Sequence, residues 1–534
     1  MKAERLFRVL GLVDSELVEE AMPGQPFRTA RPPLPWRRLA ALAACLVLVC
    51  ALGLGWQMTG GFGGYGAGMS GSASGGDSGP ADPGASGAGG AGIEDGAVFM
   101  SYAGPVFPLT TIEDPAGLTA ERTITWDFAP GVNSHGETRQ WGAQVTDAYT
   151  LSNSTGADVT VTALYPFAGS FSDLAALRPT VTVDGEAVET RLYAGAYSGG
   201  FQSTFGADAP DTMNLDSLDS WTEYRALLES GDYLARALEP YPVLDVPVTV
   251  YEFTDFEAPH EQYQAATQAV SFSVDEAATR IFTYGFNGAD WDGGFRRYSY
   301  FVPDGIRGEP NIKLLVILGE DIGDYTLEGF QNGGCNPGEE IDGVSCTVIR
   351  SETTLDAVLD RLCRAYVEQY EQGRAVDQEN AFDAVSFTMY RGAVSELLTQ
   401  YGILSDTPMD RYNEGRLDDM LSEVLPQNRV LYLAFPVTAP AGGSVTVECE
   451  AWKEPSFDFA CSGSEHAELQ GYDLVTCLGS TLEFTRQSAA LVHTEGVHIT
   501  GQDFGFDPEN GILSVELDPG QEHYYLELRP LNEP

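Results

Sequence analysis

The chain has 534 residues with 78 acidic and 29 basic side chains, a net charge of −49 at neutral pH. A field of that sign repels nucleic acid, which it excludes as a partner, and disfavours anionic lipid surfaces for most of the chain. Residues 1–38 hold seven of the basic residues and five of the acids, so the remainder, with 22 basic and 73 acidic, is more one-sided still.

In chain order, residues 1–38 read as a helical segment. Leu6, Leu10, Val13 and Leu17, followed by Ala21, step at helical spacing and form one apolar stripe. Gly11 weakens the middle by about 1 kcal/mol, and Asp14 is placed to cap a second short helix. About twenty residues cannot bury such a stripe alone, so it needs another surface. A groove on a cytoplasmic regulatory protein is one such surface. The inner leaflet is the other, with Arg5, Arg8 and Arg28 meeting head groups. Glu16, Glu19 and Glu20 favour the protein. Pro32, Pro33 and Pro35 then make a stiff spacer.

Residues 39–56 carry no charge, and about 18 residues at ~1.5 Å each span ~27 Å, close to one hydrocarbon thickness. Trp36 and Trp56 bracket the run, and Arg37 and Arg38 abut only its N-terminal end, which predicts one transmembrane helix with a cytoplasmic N-terminus. A cleaved export signal and a lipoprotein signal ending at LAAC (42–45) are the alternatives. The 38 residues ahead of the core, and the apolar residues continuing past Cys45, argue against both.

The opening LFRVLGLVDSELVEEA, a short helical pair ahead of a basic-flanked anchor and a large outer part, resembles in layout the membrane-bound anti-sigma-type regulators of Gram-positive, Clostridia-like bacteria. The resemblance implies an inner segment that sequesters a sigma factor and an outer part that senses the envelope. The acidic outer part also resembles uncharacterised surface proteins of such bacteria, and from that likeness no activity carries over.

Residues 57–97 are nearly all Gly, Ser, Ala, Pro and Asp and predict a disordered linker. Gly61, Gly63 and Gly66 match GxGxxG, and residues 76–80 read GDSGP, but neither has the strand, helix or scaffold its chemistry requires.

Residues 98–310 read as a β-rich, sandwich-like domain. VTDAYTLSNSTGADVTVTALYPF alternates about a turn cluster at 153–156, and Val181 and Val183, then Asp184-Gly185, then Val188 give the signature of a two-residue hairpin. Strands are also predicted at VPVTVYEF, AVSFSV, RIFTYGF and KLLVILG. Residues 311–428 form an α+β region. Here Leu355, Val358, Leu359, Leu362, Tyr366 and Tyr370 fall on one helical face behind a Thr354 cap, with further helices near 393–401 and 416–425. Residues 429–534 return to strands and predict a C-terminal β domain. The fold class is therefore mainly β with an α+β middle and extracellular sandwich-like domains, behind short cytoplasmic helices, one membrane span and a glycine-rich linker.

Cys335 and Cys346 flank one loop, and Cys449 and Cys461 lie symmetrically about Pro455 in a predicted hairpin, so two disulfides are expected there; Cys363 reads as a core thiol. There is no HExxH, CxxC, GxSxG or phosphate loop, and the six histidines are scattered, so no catalytic residue and no cofactor is indicated. A glycosidase's carboxylate pair would leave no such signature. One cluster stands out. GADWDGGFRRYSYF places Asp290 and Asp292 about Trp291, which offers two carboxylates to Ca²⁺, or a stacking ring with acids to grip the hydroxyls of a cell-wall or other glycan, against the plainer reading of a solvated turn.

Overall fold

The computed structural model describes residues 101–115, 117–132, 138–139, 142–197, 221–259, 266–302, 312–372, 380–400, 402–405, 415–458 and 469–531. The stripe Leu6, Leu10, Val13 and Leu17, the span 39–56, the linker and Cys461 lie outside them. Among the described residues no helix is long and apolar enough to cross a membrane.

Strand is the commonest element of the described chain, with few helices. The first stretch holds β1 (Ser101–Tyr102), β2 (Thr110–Thr111), β3 (Leu118–Asp127), β4 (Ala143–Asn153), β5 (Val159–Gly169), α1 (Leu174–Leu177), β6 (Thr180–Val183), β7 (Glu186–Ala187) and β8 (Arg191–Tyr197). Helices α2 (Trp221–Ser230) and α3 (Asp232–Leu238) follow. The middle holds β9 (Pro247–Glu257), β10 (Thr267–Ser273), β11 (Thr279–Tyr284), β12 (Gly288–Asp292), β13 (Phe295–Phe301), β14 (Lys313–Gly319), β15 (Tyr325–Phe330) and β16 (Ser345–Thr354). After these come α4 (Leu355–Gln372), α5 (Ala381–Ala384), α6 (Phe387–Gln400) and α7 (Leu417–Glu423). The last stretch holds β17 (Arg429–Ala439), β18 (Ser444–Lys453), β19 (Phe457–Asp458), β20 (Gln470–Val475), β21 (Glu483–Val492), β22 (Val497–Gln502), β23 (Ser514–Glu516) and β24 (His523–Pro530).

Local expectations hold where the signal is local. Thr182 pairs with Ala187 and Val183 with Glu186, and Asp184 and Gly185 both take positive φ (50° and 78°), as a two-residue primed turn demands. The Thr354 hydroxyl accepts a hydrogen bond from the Ala357 amide at 3.3 Å, and Leu355, Val358, Leu359 and Leu362 are buried beneath α4.

Boundaries drawn at 310 and 428 do not follow the sheets. The first and last stretches build one β assembly together. β17 runs antiparallel between β5 and β8, β18 antiparallel between β4 and β6, and β21 parallel to β3. The seven-stranded sheet β23-β21-β3-β4-β18-β6-β7 has one apolar face that covers two sheets side by side. Ala120, Tyr149 and Val447 pack on Val161, Leu433 and Phe435 of the sheet β2-β5-β17-β8. Trp126, Val145 and Leu491 pack on Tyr472, Leu474 and Leu526 of the sheet β1-β19-β20-β24-β22. A strand's period of two makes this face from alternate residues, polar partners falling outside.

The middle stretch is inserted between α3 and β17. Its sheets β11-β14-β9-β16 and β12-β13-β10-β15 pack through Phe253, Leu315 and Ile317 on Val270, Phe272 and Tyr300. The opposite face of the first of these, with Val250, Phe282 and Val316, is covered by α4, α6 and α7. That face, the helices and Leu431, Ala194 and Tyr197 of the outer assembly share one core, so the insert sits on the assembly that encloses it in sequence.

Candidate functional site

The insert's two sheets part along one side, where β11 edges one sheet and β12 the other, and a cleft of about 1580 Å³ opens between their inner faces. Alternation decides what lines it. On β13, Arg296, Tyr298 and Tyr300 share one face, and the register pairs Trp291 with Arg296 and Ala289 with Tyr298. All five line the cleft, as do Thr279, Ile281 and Thr283 from β11. The core that fills the sandwich further in thus runs out into a half-buried indole and guanidinium at the mouth.

The mouth is held by polar bonds. The Arg296 guanidinium donates to the Glu276 carboxylate and to the Gly293 and Phe295 carbonyls. Arg280 donates from Nη1 to the Glu276 carbonyl at 2.9 Å and makes no ion pair among the described residues. Arg416 reaches the cleft from far along the chain: its backbone bridges Thr283, and its Nε lies 3.2 Å from Asp419. Gly415 makes this approach, with φ +88°, where a Cβ would stand 2.4 Å from the Ile281 carbonyl oxygen. The two acids of the lining, Asp275 and Glu276, are neighbours on one turn, and Glu276 is occupied by Arg296. Two acids on one turn do not flank a substrate as a glycosidase pair does, whereas rings beside fixed donors suit binding.

Of the sequence cluster, the structure brings only Trp291 into the cleft. Asp290 and Asp292 lie on β12 rather than in the turn, which is the Gly293-Gly294 pair linking β12 to β13. Their side chains project from the other face of the sheet, exposed, with Asp290 opposite Arg297. Among the described residues no group of three His, Cys, Asp or Glu side chains is placed to hold a metal, so the two aspartates gain no third ligand for Ca²⁺. Arg296 stood beside the cluster in sequence; Arg280 and Arg416 carried no local signal.

The cysteines are corrected too. Cys335 and Cys346 are both free thiols, in different surroundings: Cys335 packs with Ala269 and Phe330, while Cys346 meets the Tyr300 hydroxyl. Cys449 is a buried free thiol on β18, which pairs with β4 and β6, while the chain past Pro455 joins β1 and β20 in another sheet. No hairpin therefore forms about Pro455. Cys363 is buried in the helical core.

Other titratable groups are structural. Arg122 and Asp147 form a fully buried bidentate pair, with both N–O distances 2.8 Å, and the Tyr149 hydroxyl donates to Asp147 at 2.6 Å. His523 on β24 lies 2.8 Å from Asp473 on β20. Burial pulls the His523 imidazole down, but the charge of Asp473, its hydrogen bond and the charge of Asp503 outweigh it, and the net sits above the ordinary 6.5. The folded state then holds this proton more tightly than the unfolded chain. The contribution is whole below pH 6.5 and is lost as pH rises through the raised value. Thermal melts across that window should show stability declining with pH, and His523→Gln should flatten the decline; equal slopes in both proteins would contradict the assignment.

No protein-family model matches the chain, and no curated protein matches it.

Proposed function

We propose that this is a single-pass membrane protein that senses a glycan: the outer β sheets hold an envelope or external saccharide in the cleft, and the N-terminal helices report to a cytoplasmic partner. The cleft carries the reading. Trp291 offers a flat apolar face to the C–H side of a sugar ring, and the guanidiniums of the lining supply polar partners for its oxygens. A cleft of about 1580 Å³ exceeds the range of roughly 300–1,000 Å³ usual for small ligands and suits a chain of several sugars. The stripe of Leu6, Leu10, Val13 and Leu17 supports a protein partner, and the likeness to anti-sigma-type regulators makes that partner a sigma factor.

A second reading is a tethered surface adhesin whose inner segment serves topology alone. The Gly, Ser and Ala composition of 57–97 favours it, since such a sequence offers no stiff route for a signal.

The full-length chain in lipid nanodiscs, screened on envelope and external glycans, should bind at least one, and Trp291→Ala should weaken that binding by about 2 kcal/mol, roughly thirtyfold. Unchanged binding by a variant of unchanged melting temperature would remove the cleft as the site. A photo-crosslinker at Leu10 in intact cells should capture a cytoplasmic protein; capture of lipid alone would favour the adhesin.

A further inference from the structure

We infer that the saccharide is an acidic one, whose carboxylate is received by Arg280 while its ring lies on Trp291. The inference rests on the cleft being a glycan site and adds the ligand's charge. Over the whole chain acids outnumber bases 78 to 29, yet the residues lining the cleft include three arginines and two acids.

The three arginines are not equivalent. Arg296 is taken by Glu276 and two carbonyls, and Arg416 by Asp419. They shape the mouth and hold its turn and its far wall. Arg280, half-buried on the edge strand β11, spends one Nη1 hydrogen on the Glu276 carbonyl, which fixes where the guanidinium sits. Among the described residues the rest of its fork meets no carboxylate. A planar fork held at one corner in the wall of the cleft matches a carboxylate. A neutral sugar would leave it no charged partner. The long-range field of a chain at −49 opposes any anion, so an acidic ligand gains from this direct contact alone, and polyanions without a ring to stack are rejected.

The test uses the full-length chain in nanodiscs, titrated with trigalacturonate and a hyaluronan tetrasaccharide, and with galactotriose and chitotetraose as neutral counterparts. Triglutamate and a glycerol phosphate oligomer probe charge without a sugar ring. At least one acidic saccharide should bind tenfold or more tightly than its neutral counterpart, on the scale of about one charge-assisted hydrogen bond. Arg280→Gln should erase that preference at an unchanged melting temperature, and Trp291→Ala should weaken both classes. Equal binding of acidic and neutral sugars, a preference that survives Arg280→Gln, or triglutamate or glycerol phosphate binding as tightly as the acidic sugars, would overturn the inference while leaving a glycan site standing. No binding by any saccharide would overturn both.

Discussion

Asp147→Ala should lower the unfolding free energy by about 3–5 kcal/mol and the melting temperature by roughly 10 °C. The reason lies in where the pair sits. Along β3 and β4, Leu118, Ala120, Tyr149 and Leu151 face one neighbouring sheet, while Ile124, Trp126, Ala143 and Val145 face another. Arg122 and Asp147 occupy the line between, and Arg122 also donates to the Val475 carbonyl at 2.8 Å and the Phe107 carbonyl at 2.9 Å. One guanidinium thus ties three pieces of backbone and strand together with no exposure. Removing the carboxylate leaves a buried cation and strands the donating Tyr149 hydroxyl without its acceptor. Arg122→Met with Asp147→Leu should cost far less than the single change, because no charge is left behind and the Tyr149 hydroxyl still accepts from the Leu109 amide at 3.0 Å. Urea unfolding of the three proteins checks this, and a double variant as unstable as Asp147→Ala would show that the pair's worth lies in its shape and not in its charge balance.

The second large effect is expected at Glu396, where the insert meets the outer assembly. Its carboxylate, on α6, is 1% exposed and lies 3.5 Å from Arg429 on β17 and 3.2 Å from Arg236 on α3. Arg429 is itself buried, its guanidinium carbon 4.2 Å from the Tyr197 ring centre and 4.6 Å from that of Phe171. Burial pushes the Glu396 carboxyl above the ordinary 4.5, with Arg429 and Arg236 opposing it. A raised acid favours the folded state while protonated, so this group's contribution is largest below pH 4.5 and declines as pH rises through the raised value. Glu396→Ala leaves Arg429 with aromatic faces as its charge-stabilising neighbours and should cost about 3 kcal/mol. Glu396→Leu with Arg429→Met should recover most of that, since the partly exposed Arg236 stays solvated. Calorimetry should show the single variant melting well below the double; coincident melts would mean the seam does not depend on this charge pair.

What the sequence made legible followed from range. The Asp184-Gly185 turn and the Thr354-capped face of α4 depend on residues within a few positions of each other, so propensity and period state them fully. The pairing of β17 with β5, or of β21 with β3, joins stretches some 270 to 365 residues apart, and no local pattern marks it. For the same reason a boundary at 428 looked natural in sequence though the sheets run across it. The cleft was half visible. GADWDGGFRRYSYF announced an aromatic and charged cluster, but which members face inward was set by strand register, which reversed the roles of Trp291 and its flanking aspartates. Arg416 could be found only through the fold that carries it to Thr283.

The account stands on the cleft between β11 and β12 as the place where a ligand is held. Hydrogen–deuterium exchange of the full-length chain in nanodiscs, with and without a digest of envelope polysaccharide, addresses this directly. Amides of 279–284 and 288–292 are predicted to exchange more slowly when the digest is present, with Trp291→Ala abolishing the difference. Unchanged exchange in those strands, or protection confined to the outer assembly, would contradict the account.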